Sequence, residues 1–249
     1  MAGMENGTLK AIIFDCDGVL VDTERDVHRV AFNRAFAAEG IDAEWSVELY
    51  GELLLVAGGK ERMTHYFEQY GWPEHQYGPN EELIAQLHKK KTAIGAEMIA
   101  NGEAALRPGI ARIVDEAIEA GVKLGVCTTS NAKFIDAVLD LLGPERKAKF
   151  DFVHAGDVVK KKKPDPEIYE LAKQTLGLPA DECIVIEDSR NGLLAATGAG
   201  LPTLVTMSTY TVDEDFSEAA KVVPELGDGP QATITLRDLE ELAARKQTA

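Results

Sequence analysis

Apolar positions along this chain of 249 residues keep two different rhythms, and the change between them divides it. Leu9 to Phe14 is an apolar run broken only by Lys10, the pattern of a strand buried in a parallel sheet. From Val27 the spacing becomes helical: Val27, Val30, Ala31, Arg34, Ala35 and Ala38 share a face, ending near Gly40. Tyr50 to Val56, Met63 to Phe67 and Leu83 to Leu87 continue in that style. Turn signals separate them at Gly58-Gly59, Gly71-Trp72-Pro73 and Gly78-Pro79-Asn80. From Arg107 strands and helices alternate. Pro108 is expected in the first turn of a helix whose Ile110, Ile113, Val114, Ala117 and Ile118 line one face, with Gly121 as its stop. Val122 to Cys127 follows as a strand, then a helix capped by Ser130 and carrying Phe134, Ile135, Val138, Leu139 and Leu142. Phe150 to His154, Cys183 to Ile186, Leu204 to Thr206 and Lys221 to Val223 read as strands. Pro166 to Leu176, Leu193 to Ala199 and Leu236 to Arg245 read as helices.

Such alternation predicts an α/β fold, a parallel sheet covered by helices. The expected core is residues 1–22 and 106–249, with residues 23–105 as an all-helical insertion. Charge narrows the partners: 26 basic against 42 acidic residues give a formal net of −16. Nucleic acid and anionic membranes both need a positive footprint, so neither is expected. No apolar run reaches membrane-spanning length, so a soluble protein is expected. Met1 to Thr8 lacks the pattern of a signal or transit peptide, although a start left after removal of one would look the same. Three cysteines without pairing rhythm fit a reducing compartment. Cys16, Cys127 and Cys183 read as small buried residues, with the Cys16 thiolate disfavoured by its flanking aspartates. Lys89-Lys90-Lys91 and Lys160 to Lys162 read as solvated charge.

The chemistry gathers where strands end. Asp15 and Asp17 stand two residues apart after the first strand, so extended backbone puts both carboxylates on one face. Gly18 then lets the chain turn sharply. Like charges so close resist joint ionisation, and with no basic neighbour they call for a hard divalent cation, Mg2+. Three further polar segments each follow their own predicted strand: Thr128-Thr129-Ser130-Asn131, Lys163-Pro164-Asp165-Pro166 and Glu187-Asp188-Ser189. Ligands of open parallel sheets bind beyond these carboxyl ends. Thr128 offers a hydroxyl there, the Thr129 amide lies near a helix start that welcomes an anion, and Lys163 sets a point charge opposite the carboxylates.

In order and type the four segments resemble the motifs of the haloacid dehalogenase superfamily. That resemblance implies a Rossmann-like sheet with an inserted small helical cap. It also implies roles: Asp15 as nucleophile, and Asp17 as general acid and then base. Mg2+ would be held by the Asp15 carboxylate, the Asp17 backbone carbonyl and Asp188, with Glu187 a ligand through water or an orienting group. Lys163 and Thr128 would complete the catalytic set, with Thr129 and Ser130 binding substrate. An aspartate two residues after the nucleophile speaks for phosphate rather than halide chemistry.

A closer likeness is carried by Asp22-Thr23-Glu24 with His28, by Leu49 to Leu54, by Gly58 to Met63 and by Tyr66-Phe67. Leu141 to Arg146, Ala155 to Val159 and Tyr210 to Phe216 add to it. Together they resemble CbbY-type enzymes over residues 9–223, the photosynthetic members most strongly. The implied reaction removes the C1 phosphate of xylulose 1,5-bisphosphate, an inhibitor of Rubisco, giving xylulose 5-phosphate for the Calvin cycle. A monomer is expected, linked to Rubisco through this metabolite, in the chloroplast stroma of a plant or alga and otherwise in the cytoplasm.

Lys60 and Arg62, in the turn begun by Gly58 and Gly59, are expected to hold a second phosphate. Glu24 either contacts sugar hydroxyls or serves as a helix N-terminal charge. His28 is either a substrate contact or a satisfied helix residue, and Asn131 either a substrate contact or a support for its turn. Rival readings are a sugar phosphomutase resembling β-phosphoglucomutase, a phosphoglycolate phosphatase, and a catalytically silent protein that docks on Rubisco or an activase. Arg190 and Asn191 stand where smaller or more apolar residues are expected, and an inward Arg190 would alter the metal loop.

Overall fold

All four residues of β1 (Ala11–Phe14) are buried in the computed structural model, which describes residues 9–56, 58–231 and 233–244. The chain then forms a π-helical turn (Glu24–His28) and the helices α1 (Arg29–Ala38), α2 (Val47–Leu53), α3 (Gly59–Tyr70) and α4 (Asn80–Ala100). Next come α5 (Ile110–Ala120), β2 (Lys123–Thr128), α6 (Ala132–Asp140), α7 (Pro144–Lys147) and β3 (Phe150–Ala155). The order continues with α8 (Glu167–Leu176), β4 (Cys183–Glu187), α9 (Arg190–Gly198), β5 (Thr203–Thr206), β6 (Lys221–Val223) and α10 (Leu236–Ala243). Contacts resolve two compact units, one of Met1–Asp22 with Ala105–Ala249 and the other Thr23–Ala104.

In the first unit the strands form one sheet in the order β3-β2-β1-β4-β5-β6, every pairing parallel. The chain reaches β2 on one side of β1 and β4 on the other, so β1 stands at the switch point where such sheets open a crevice. Phe14 pairs with Val126 and with Ile186, which brings Asp15 level with Cys127 and Glu187. One face of the sheet packs Ile13, Val185 and Cys127 against Ile168, Tyr169 and Ala195 of α8 and α9. Three helix starts depart from expectation. Pro108 lies outside α5, because Gly109 takes a left-handed φ of 88° and makes Ile110 the first helical residue. The cap of α6 is Asn131, whose side chain accepts from Phe134 N at 3.0 Å, and not Ser130. The helix after β4 starts three residues early, at Arg190, because Ser189 caps it through Gly192 N.

The second unit is helical throughout and is organised on an aromatic cluster. Trp45 is fully buried, its ring centroid 4.7 Å from Phe32, 5.0 Å from Phe36 and 5.7 Å from Tyr50. Its backbone is tied to Asn33 on α1, which donates to Trp45 O at 3.0 Å and accepts from Trp45 N at 2.8 Å. The lysine run on α4 is only partly solvated. Lys90 pairs with Glu39 and Lys91 lies 4.8 Å from the Phe32 ring, leaving Lys89 as the exposed member. Among the described residues no helix is long and apolar enough to cross a membrane.

Candidate active site

The end of β1 delivers Asp15 into a buried cluster built from the strands on either side. Lys163 Nζ donates to Asp15 Oδ1 at 2.6 Å, to Glu187 Oε1 at 2.6 Å and to Cys127 O at 2.9 Å. Glu187 also accepts from the Tyr169 hydroxyl at 2.5 Å and, through Oε2, from Asp188 N at 3.2 Å. Asp15, Glu187 and Asp188 are all buried, and each offers an oxygen within 4.8 Å of the other two. Two glycines allow this crowding. Gly18 has φ 83°, and a Cβ there would be built into the Asp188 carboxylate; a Cβ on Gly192 would run into that of Glu187.

Electrostatics follow from that geometry. Burial pushes Asp15 up to about 8; Lys163 opposes the rise, while Glu187 and Asp17 add to it. Asp188 is raised well above the carboxylate range by burial and by Asp15 and Glu187, with a hydrogen bond from Ser208 acting the other way. Burial works against the Lys163 ammonium, yet Asp15 and Glu187 outweigh it and hold it charged. Three buried carboxylates therefore face one fixed cation. This oxygen-only, charge-deficient donor set fits a hard divalent ion, Mg2+, which the Asp15 and Asp188 carboxylates would hold with the Asp17 backbone carbonyl. Cys16 and Cys127 are buried free thiols, both pushed above the ordinary range by burial and held there by the neighbouring carboxylates.

Asp17 lies at the more open side of the cluster. Its Oδ2 accepts from the Ser130 hydroxyl at 2.5 Å and from Thr128 Oγ1 at 3.5 Å, and Thr128 Oγ1 in turn accepts from Ser130 N at 3.1 Å. Ser130 thus serves Asp17 rather than the helix. The Thr129 side chain is exposed, and the Asn131 side chain supports its turn, Oδ1 being engaged in the cap of α6. Lys160, Lys161 and Lys162 are exposed as expected. Arg190 points away from the cluster, to Glu218 and Asp215, so the loop that carries Asp188 is undisturbed.

The remaining candidates lie in the helical unit. Arg62 is only 8% exposed; Nε donates to Leu53 O at 3.1 Å and Nη1 to the Tyr50 hydroxyl at 3.0 Å. That hydroxyl donates to Glu24 Oε2 at 2.6 Å. Arg62, expected to hold a second phosphate beside Lys60, here joins α3 to α2 and holds Glu24 through Tyr50. Lys60 is exposed on the first turn of α3, which opens at Gly58 and Gly59, and His28 is half-buried at the end of the π-helical turn. Tyr50 and Tyr169 escaped the sequence reading. A signal existed for both: a tyrosine on a buried helical stripe needs a partner for its hydroxyl.

The family model of haloacid dehalogenase-like hydrolases matches residues 9–200. A CBBY-like protein of Arabidopsis thaliana is 51% identical over 230 residues, which is 91% of this chain and 72% of that protein. Protein CbbY of Rhodobacter capsulatus is 45% identical over 219 residues, 88% of this chain and 94% of that protein. Among solved structures, a mutant of CbbY from Rhodobacter sphaeroides in complex with xylulose 1,5-bisphosphate is 41% identical. It aligns with a TM-score of 0.74 over 88% of this chain and 96% of that one.

Proposed function

Since the chain belongs to the haloacid dehalogenase-like hydrolases, in their CbbY branch, we propose that this phosphatase removes the C1 phosphate of xylulose 1,5-bisphosphate through a phosphorylated Asp15. The observation that carries this reading is the buried array of Asp15, Lys163, Glu187 and Asp188 at the sheet's switch point, with Asp17 poised beside it.

Lys163 grips Asp15 Oδ1 and so fixes the rotation of the carboxylate that attacks. A bond forms from Asp15 oxygen to phosphorus as the bond from phosphorus to the C1 oxygen breaks, and Asp17 gives its proton to that leaving oxygen. Water then attacks phosphorus and gives a proton to Asp17, which is thereby restored, and the Asp15–phosphorus linkage breaks to release phosphate. Magnesium, when bound, supplies charge neutralisation between the Asp15 carboxylate and the phosphate oxygens. Thr128 and Ser130 hold Asp17 through both steps. Glu187, already accepting from Lys163, Tyr169 and the Asp188 amide, orients its neighbours. In the helical unit we assign Lys60 and the start of α3 at Gly58 and Gly59 to the distal phosphate, and Glu24 to the sugar hydroxyls. Binding energy from the distal phosphate would orient the reacting one. A place in the chloroplast and a link to Rubisco through the substrate belong to the same proposal, the first in keeping with a relative from a plant.

The test is phosphate release, with and without Mg2+, from xylulose 1,5-bisphosphate, ribulose 1,5-bisphosphate, β-glucose 1-phosphate and phosphoglycolate. Preference for the first, with one phosphate freed per molecule consumed, is the expected result. Preference for ribulose 1,5-bisphosphate, or isomerisation without release, contradicts it.

A further inference from the structure

Arg107 collects backbone carbonyls from three separate segments of the core. Its Nη1 donates to Gly18 O and, at 3.1 Å, to Thr206 O; its Nη2 donates to Met207 O and Pro224 O at 2.7 Å each. The Arg107 amide itself donates to Leu20 O at 2.8 Å. Two of these carbonyls border on Asp188. A Cβ on Gly18 would run into the Asp188 carboxylate, and Met207 precedes Ser208, which holds the Asp188 pKa down.

Gly18 is also the residue where the loop most needs outside support. Its backbone is permissive, so its neighbours decide the orientation of the peptide planes on either side. The plane before it carries the Asp17 carbonyl and is fixed by Gly18 N donating to Val21 O at 2.8 Å. The plane after it is fixed by Arg107. A lysine's single ammonium cannot reproduce a planar fork that reaches carbonyls on both edges.

We propose that Arg107 is a positioning residue for the acidic cage: by holding the Gly18 carbonyl it fixes the turn against which the Asp188 carboxylate packs, and so keeps that carboxylate where a divalent cation requires it. The inference rests on the reading of Asp15, Asp17 and Asp188 as the metal-holding groups.

The test is calorimetric titration of the full chain with Mg2+, without substrate, for the parent, Arg107→Lys and Arg107→Ala. Loss of an outer partner of a metal site costs about 10–100-fold in affinity, and that loss is expected in both variants. Guanidinium ion well below denaturing concentration, against sodium chloride at equal ionic strength, is expected to restore affinity in Arg107→Ala. Affinity within about twofold of the parent in Arg107→Lys, or a loss in Arg107→Ala that guanidinium leaves unrepaired, overturns the inference and leaves the phosphatase reading standing. A parent chain that binds no Mg2+ overturns both.

Discussion

Replacing Lys163 by Met should weaken the metal-free protein by an amount that grows with pH. The change deletes three hydrogen bonds from a buried ammonium, to Asp15, Glu187 and the Cys127 carbonyl. Bonds to charged groups contribute about 1.5–3 kcal/mol each, so the gross loss is about 4.5–9 kcal/mol. Asp15 offsets part of it by taking up a proton, and removal of one partner from a buried ion pair leaves about 3–5 kcal/mol. For a chain of this size that is a fall in Tm of about 6–20 °C. The pH dependence has a definite sign. Burial already lifts Asp15 to about 8, and Lys163 is the group that opposes the lift. Without it the folded-state pKa stands further above the unfolded one. The penalty is then level below about pH 8, where Asp15 is protonated in both folded proteins, and grows as the pH rises above the parent's folded pKa, where only the parent ionises. Melting scans in chelator at about pH 7 and about pH 9.5 read both quantities. A penalty below about 1 kcal/mol at the higher pH, or one that grows toward acid, would refute the reasoning.

Four other outcomes follow from the geometry of the site. Asn131→Ala should cost about 1 kcal/mol by denaturant melting through loss of the α6 cap, with kcat unchanged. Ser130→Ala should do the reverse, lowering kcat by part of the about 10²–10⁴ that acid–base catalysis supplies, because it frees Asp17. Gly18→Ala should lose about 1–2 kcal/mol from the left-handed backbone alone, and Mg2+ affinity as well, because its methyl displaces Asp188. Mg2+ binding should release protons and tighten as pH rises, since Asp15 and Asp188 are both raised in the metal-free state. Calorimetry in two buffers of different ionisation enthalpy measures that release, and a value of zero would contradict it.

Most of the sheet could be read from the chain because buried parallel strands are continuous apolar runs, and the segments of Asp15, Thr128 and Glu187 sit at the ends of three of them, with Lys163 in the loop that follows a fourth. Asp15, Lys163 and Glu187 needed only the order of those strands to be brought together. Helix starts were harder. Ser130 and Asn131 are both good caps, and only the fold decides which side chain turns to the helix and which to Asp17. Arg62 was paired with Lys60 on a phosphate because its charge was visible in the sequence and its burial against Tyr50 and Leu53 was not. Arg107 left no local signal at all. The carbonyls its side chain holds lie 89 to 117 residues away, and any sequence possesses such groups.

The central claim is that phosphate passes through Asp15, and chemical capture tests it most directly. Enzyme turning over xylulose 1,5-bisphosphate with Mg2+ would be quenched in acid, reduced with borohydride and digested for mass spectrometry. Conversion of residue 15 to homoserine, abolished in Asp15→Asn, is the predicted result. Unmodified Asp15 during sustained phosphate release, or turnover retained by Asp15→Asn, would contradict the account.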